Sequence, residues 1–231
     1  MSKNSIFAVS IGCALAFSAF NGIPAQAQTA DQIGTQSGNI TNQQAVEIAV
    51  DAEQLLPAEA EEKASDFTRS QKVMVGKILA DPSFGLPGEE KRIEQKYPQV
   101  EIQETADDSS DAGNSNDNPI VAYAAKKNGN TSRSLSTSWK VLGITYAQVT
   151  TTLNFKTRDW RIKGINSCYG TIVNYIPLRQ IDKHNTSSIK NGNATCITNA
   201  SLARLLQKTV RGKHGFTVNS NGKFIKKWTL K

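Results

Sequence analysis

The chain has 231 residues and a formal net charge of +7, but this charge is divided along its length. Residues 28–118 carry 18 acids and 7 bases, whereas residues 119–231 carry 19 bases and only two acids, Asp159 and Asp182. The resulting net charges of −11 and +17 exclude a uniform distribution. A strongly basic segment is typical of proteins that bind anionic partners.

The first 27 residues have the form of a secretory signal peptide. Lys3 supplies a short positive region, residues 6–20 contain no charge, and Ala25 and Ala27 provide the small–x–small cleavage pattern. We therefore expect cleavage after Ala27 and a secreted, extracellular protein. A membrane anchor is the alternative, but no positive stop-transfer cluster follows the apolar run.

Residues 28–102 are predicted to form an acidic helical region. Thr41 and Gln44 fit a capping box at the start of a helix that ends near Leu56. A second helix is predicted over residues 57–81, with Pro57 at its first position and with Phe67, Met74 and Ile78 at helical spacing. A third is predicted over residues 89–97. The region has few aromatic residues, so we expect a thin core that is only partly folded alone.

Residues 103–138 are predicted to be a flexible linker. Residues 103–118 contain no large apolar residue, so they cannot bury enough surface to offset chain entropy. Lys126, Lys127 and Arg133 lie in a second polar stretch, where exposed basic residues would be sites for an extracellular protease. The alternative is that these are ordinary loop residues.

Residues 139–231 are predicted to form a basic β domain. Residues 149–156 alternate between apolar and polar side chains, and further strands are predicted over 160–163, 170–178 and 194–203. Residues 185–192 are predicted to be turns, and Asn221-Gly222 is predicted to be the type I′ turn of a hairpin over 214–230. A short helix over 204–208 is an alternative. The fold class is therefore α+β in two regions, the second a small antiparallel sandwich or barrel.

Two cysteines remain once Cys13 is removed with the signal peptide. In an oxidising compartment Cys168 and Cys196 are expected to form a disulfide, worth about 3 kcal/mol by chain entropy. A metal pair or a reactive thiol is the alternative. A metal site would need further ligands, and only His184 and His214 are available. No metal and no cofactor are therefore expected.

No motif in the sequence specifies an enzymatic reaction. There is no GxSxG elbow, Walker loop, dinucleotide glycine pattern or zinc motif. We therefore predict that the protein is not an enzyme and assign no catalytic residue. A ribonuclease-like toxin that uses His184 and His214 remains the third functional alternative.

The strongest functional signal is cationic. Residues 139–231 carry 16 bases and two acids, a net charge of +14 that exceeds what solubility requires. Edge lysines can also serve to block aggregation of sheets, which accounts for only some of the excess. The candidate anion-binding residues are Arg211, Lys213, Lys223, Lys226, Lys227 and Trp228. The expected partner is an anionic cell-wall polymer or the membrane surface of a target cell, with nucleic acid as an alternative.

This order of segments resembles that of secreted Gram-positive proproteins in which an acidic pro-region precedes a basic antimicrobial part. The similarity covers the Ala25-Gln26-Ala27 pattern, the acidic residues 28–118, the Lys126-Lys127 region and the basic remainder. It implies an antimicrobial, bacteriocin-like protein whose acidic part masks the basic part until proteolysis. The first alternative is a non-enzymatic secreted module that binds cell wall or another polyanion.

Overall fold

The computed structural model describes residues 40–107, 128–204 and 207–228, all of which belong to one compact unit. Four helices precede eight strands. The helices are α1 (Asn42–Glu53), α2 (Ala58–Ser65), α3 (Arg69–Leu79) and α4 (Glu90–Lys96). The strands are β1 (Val100–Asp107), β2 (Gly129–Val141), β3 (Ile144–Arg158), β4 (Arg161–Asn174), β5 (Ile181–Lys190), β6 (Asn193–Arg204), β7 (Gln207–Val218) and β8 (Phe224–Lys227).

The strands form two antiparallel four-stranded sheets that pack as a sandwich. Sheet A has the order β1-β2-β3-β4, and sheet B has the order β5-β6-β7-β8. A disulfide between Cys168 in β4 and Cys196 in β6 joins the two sheets, with 5.6 Å between the Cα atoms. The predicted α+β class, the sandwich and the disulfide are therefore confirmed. Disulfides are typical of extracellular proteins, and this one is compatible with that location.

Capping boxes set the starts of two helices. The Thr41 hydroxyl accepts the Gln44 backbone N–H, and the Gln44 side chain accepts the Thr41 N–H, so α1 begins as predicted. Thr68 and Gln71 repeat this arrangement at the start of α3. The prediction of one helix over 57–81 was therefore wrong, because the second capping box separates α2 from α3. Pro57 is the N-cap of α2 and not its first residue. The helix predicted over 89–97 is confirmed as α4.

The helices share a hydrophobic core with one end of sheet A. Ile78, Leu79 and Ile93 are buried with Trp139 and Tyr146 from the strands. Helices α1 and α3 approach closely, since a Cβ atom at Gly76 would lie only 1.8 Å from the Ala45 carbonyl oxygen. The described helices are therefore part of the same folded unit as the sheets. None of them is long and apolar enough to cross a membrane.

The predicted linker over 103–138 is partly wrong. Residues 103–107 belong to β1, and residues 129–138 belong to β2, which pairs with β1 from Val100↔Val141 to Asp107↔Ser134. The sequence pattern was misleading because the buried face of β2 includes Arg133 and Thr137, and their serine neighbours made the whole stretch polar. Lys126 and Lys127 lie outside the described residues.

Three two-residue turns connect neighbouring strands. Leu142-Gly143, Asp159-Trp160 and Asn191-Gly192 all have positive φ at both positions, as type I′ turns require. Residues 185–190, predicted to be turns, belong to β5, and Trp160, predicted to lie in a strand, belongs to a turn.

Two predictions for the C-terminal hairpin need correction. At 219–222 only Gly222 has positive φ, and its N–H donates to the Asn219 carbonyl, so the predicted type I′ turn at Asn221-Gly222 was wrong. The alternative helix over 204–208 is not found in its described residues, because β6 extends to Arg204 and β7 begins at Gln207. The hairpin itself is present, since β7 pairs with β8.

The connection between α3 and α4 links the helices to both sheets. Arg179, which follows β4, donates to the carbonyl oxygens of Leu79 at 3.0 Å and Asp81 at 2.8 Å, and also to that of Phe84. On sheet B, a Cβ atom at Gly212 would lie 2.1 Å from the Pro87 carbonyl oxygen. The hydrogen bonds from Arg179 and the close packing against Gly212 thus fix the position of the α3–α4 connection relative to the sheets.

We predict that Gly76→Ala destabilises the whole fold. The added methyl group must separate α1 from α3, and overpacking of this kind costs about 1–3 kcal/mol or more. Urea unfolding measures the loss. Gly164→Ala is the control, because a Cβ atom there would meet nothing within 4 Å. Equal stability of the two variants would contradict the observed helix packing.

Candidate anion-binding face

The outer face of sheet B is defined by alternation along its strands. On β6, Ala194, Cys196 and Thr198 are fully buried and face sheet A. On β7, His214 and Phe216 are also buried, and they pair with Thr198 and Cys196. Because successive side chains of a strand point to opposite faces, the intervening residues of both strands face away from sheet A.

Four of the six candidate anion-binding residues lie together on this outer face. Arg211 and Lys213 are exposed on β7, opposite Ser201 and Asn199 of β6. Lys226 of β8 pairs with Thr217, which places it on the same face. The Lys226 ammonium lies 4.6 Å from the centroid of the Trp228 ring, and the backbone N–H of Trp228 donates to the Gly215 carbonyl at 2.8 Å. Arg211, Lys213, Lys226 and Trp228 are called the basic face below.

The other two candidates lie elsewhere. Lys227 pairs with Phe216, so its side chain is on the opposite face from that of Lys226. Its Nζ lies 2.5 Å from Oε1 of Glu104 in β1, which neutralises its charge. Lys223 is exposed in the turn before β8, where its backbone N–H donates to the Asn219 side chain. The predicted cluster is therefore divided by the geometry of the hairpin.

Arg133 is not an exposed processing site, contrary to the sequence prediction. It is 1% exposed, its Nε donates to the Gly222 carbonyl at 3.0 Å, and its Nη1 donates to the Ser132 carbonyl at 2.9 Å. These bonds hold the guanidinium in the interior, beside the β7–β8 turn. The predicted signal-cleavage residues Ala25 and Ala27 lie outside the described residues.

Three acids of the helical region, Glu53, Asp81 and Glu89, form ion pairs within that region. Burial would raise the pKa of Asp81, but hydrogen bonds from Lys96, the Ser83 N–H and Arg92 lower it below its usual range. Glu53 is paired with Lys72 at 2.8 Å. Within the described part of the chain, no ion pair connects an acid of α1–α4 to the basic face.

One acid does share the outer face of sheet B. Asp182 on β5 pairs with Ser201, which in turn pairs with Arg211, so the carboxylate is two strands away from the guanidinium. Neighbouring strands are about 4.8 Å apart, so the backbones of β5 and β7 are about 10 Å apart. Among the described residues no ion pair joins Asp182 to Arg211.

The two histidines lie on opposite faces of sheet B. His184 pairs with Asn199 and is exposed on the outer face, whereas His214 is completely buried between the sheets. Nδ1 of His214 lies 2.8 Å from the Thr151 hydroxyl, and Nε2 lies 3.2 Å from the Thr137 hydroxyl. Burial lowers the pKa of His214 to about 4, so the imidazole is neutral at physiological pH. The two imidazoles therefore cannot act on one bound substrate, as the nuclease alternative requires.

Comparison with known proteins returns no matching family model, curated protein or solved structure. The described residues contain no group of three or more His, Cys, Asp or Glu side chains that could hold a metal ion.

We predict that His214 makes folding sensitive to acid. Its folded pKa of about 4 is below the value of 6.5 for a free histidine, so the unfolded chain takes up a proton first as the pH falls. The stabilisation that comes from the neutral His214 is fully present above pH 6.5, and it is lost as the pH falls from 6.5 to 4. A pKa unit corresponds to about 1.4 kcal/mol, so the loss from this group is at most about 3 kcal/mol.

Urea unfolding between pH 7.5 and 4 tests this prediction on two matched variants. His214→Gln should flatten the decline relative to the wild type, because the neutral amide can still bond to both threonines. His184→Gln is the matched control, because its ring is exposed on the outer face of sheet B. An unchanged pH dependence in His214→Gln would show that this imidazole is not responsible.

Proposed function

We propose that the protein is a secreted, non-enzymatic module that binds anionic polymers of a cell envelope through the basic face. The observation that carries the proposal is the alignment of Arg211, Lys213 and Lys226 on one outer sheet face, with no ion pair to any described acid. Such an arrangement is complementary to a chain of phosphates or carboxylates.

The spacing of the cations suits an extended polymer. Arg211 and Lys213 are two residues apart on one strand, which corresponds to about 6.6 Å. Lys226 lies on the neighbouring strand beyond Gly215 and Thr217, so the three charges span the sheet diagonally. Asn199 and Ser201 lie beside them and can donate further hydrogen bonds to anionic oxygens. A polymer can therefore contact several cations at once.

Trp228 restrains Lys226 in this arrangement. The ammonium lies over the indole ring, and a cation–π contact at a surface is worth about 0.5–1 kcal/mol. Restraint of a flexible lysine before binding reduces the entropy that is lost when an anion is captured. The tryptophan thus supports binding without needing to touch the polymer itself.

The shared core favours the intact chain as the form that binds. The apolar residues of α1–α4 are buried against sheet A, and β1 is paired along its whole length with β2. Removal of the segment before residue 128 would expose this core and an edge of sheet A. We therefore propose that binding to an envelope does not require release of the basic part.

Antimicrobial action is the second proposed function, and the +14 net charge of residues 139–231 favours it. Binding to the envelope of a target cell would be its first step. The intact protein should then inhibit growth of sensitive cells, and neutralisation of the basic face should abolish inhibition. Binding without inhibition would leave the envelope-binding function alone.

We predict that neutralising the basic face weakens binding to purified wall teichoic acid by about tenfold or more. The variant is Arg211→Gln, Lys213→Gln and Lys226→Gln, measured by calorimetry at several salt concentrations. Loss of three ionic contacts should lower the salt dependence, expressed as log K against log[salt], by about 3.

The matched control carries Lys156→Gln, Arg161→Gln and Lys163→Gln. These residues are exposed around the β3–β4 turn, and their replacement changes the net charge equally. This control should retain near wild-type affinity. If both variants lose affinity equally, net charge and not the basic face determines binding. If the protein prefers single-stranded DNA to teichoic acid, the polymer class in the proposal is wrong.

A further inference from the structure

The outer face of sheet A carries a second surface with different chemistry. The buried face of β2 contains Leu135, Thr137 and Trp139, so the serines between them point outward. The strand registers extend this face across the sheet in rows, for example from Thr105 through Ser136 and Thr150 to Thr171. We call it the hydroxyl face; its members are Gln103, Thr105, Ser134, Ser136, Ser138, Gln148, Thr150, Thr152, Asn154, Ser167, Tyr169 and Thr171.

Hydrogen bonds between neighbouring strands fix many of these side chains. Ser134 and Thr152 are bonded at 3.0 Å, Ser136 and Thr150 at 2.9 Å, and the Asn154 amide donates to Ser167 at 2.7 Å. Each hydroxyl keeps acceptor capacity after one such bond. The polar groups are therefore held in place before a ligand arrives, which reduces the entropic cost of binding.

The hydroxyl face is uncharged over an area where a soluble protein normally places charges. Charged residues make up 20% of the chain, yet none is a member of this face; those at its two ends include Glu101 and Lys140 at one end and Lys156, Arg158 and Arg161 at the other. Among the described elements, α1–α4 pack on the other side of sheet A. A charged polymer finds no opposite charge at the centre of this face. A neutral polymer buries no charge when it binds there, so it incurs no desolvation penalty of that kind.

Tyr169 gives this polar surface its aromatic element. Its side chain is 48% exposed, and it lies in the row of Ser134 and Thr152. An aromatic ring beside fixed hydroxyls and amides offers an apolar contact for the C–H face of a sugar, together with hydrogen bonds for its hydroxyls. This combination matches a neutral carbohydrate better than it matches a peptide or a lipid surface.

We propose that the hydroxyl face binds a neutral polysaccharide. The proposal goes beyond the function of the basic face and does not depend on it. The charge complementarity of the two faces differs: sheet B presents cations to an anionic polymer, and sheet A presents uncharged donors and acceptors to a neutral glycan. An intact chain could thus contact both polymer types of one envelope from opposite sides of the sandwich.

Retention of the full-length protein on insoluble chitin and cellulose tests the proposal. The wild type should bind at least one of them, and binding should change less than twofold between low salt and about 1 M NaCl, where electrostatic screening is nearly complete. Tyr169→Ala should weaken retention by about tenfold, and Thr150→Arg should also weaken it by placing a long cation at the centre of the face.

The controls separate this surface from other causes of retention. Trp160→Asn removes an aromatic ring that is 51% exposed in the β3–β4 turn, and asparagine tolerates the positive φ there. This variant and the neutralised basic face should both retain wild-type binding to the neutral glycans. Thermal unfolding confirms that each variant is folded. Absence of binding to both polysaccharides, or equal binding by Tyr169→Ala and the wild type, would overturn the proposal.

Discussion

The burial of helices α1–α4 against one end of sheet A is the constraint on which the other features depend. Trp139 and Tyr146 contribute to this core from the sheet, while Ile78 and Ile93 contribute from the helices. Arg179 adds hydrogen bonds from the connection between the sheets to the carbonyls at the end of α3. The helices pack at this end of the molecule. Among the described elements they therefore leave the outer faces of both sheets uncovered.

The division of charge in the sequence becomes a division between surfaces in the fold. Some acids of the helical region are paired within it, as Asp81 and Glu53 illustrate. The described ion pair that reaches the hairpin joins Glu104 of β1 to Lys227, which is not on the basic face. Within residues 40–107, 128–204 and 207–228, no ion pair joins an acid to Arg211, Lys213 or Lys226, as masking of the basic part by the acidic part would require.

Much of the fold was predictable because its signals are local. The Thr41–Gln44 capping box and the alternation over 149–156 each correspond to one element, and the two cysteines allowed only one pairing. The equivalent signal at Thr68 was missed because the apolar spacing through Phe67 and Met74 suits a continuous helix as well. Strand β2 was missed because hydroxyl groups and Arg133 occupy positions where apolar residues normally mark a strand.

The candidate surfaces were less predictable because they depend on strand register. Lys226 and Lys227 are adjacent in sequence, yet pairing with β7 places them on opposite faces. His184 and His214 are separated by the same effect. The hydroxyl face is assembled from four strands, each of which contributes only alternate residues with no unusual motif. Composition indicated candidate anion-binding residues, but only the pairing of strands shows which of them lie on one face.

The described helices and sheets form one folded unit, so we predict that the basic part does not separate from the acidic part. Native cleavage at Lys126-Lys127 followed by gel filtration tests this prediction. The two fragments should elute together, because β1 remains paired with β2 and α1–α4 remain packed on sheet A. They should separate only in denaturant. The disulfide lies within residues 128–231, so it does not hold the two fragments together. Elution of residues 128–231 alone, as a folded species, would contradict the prediction.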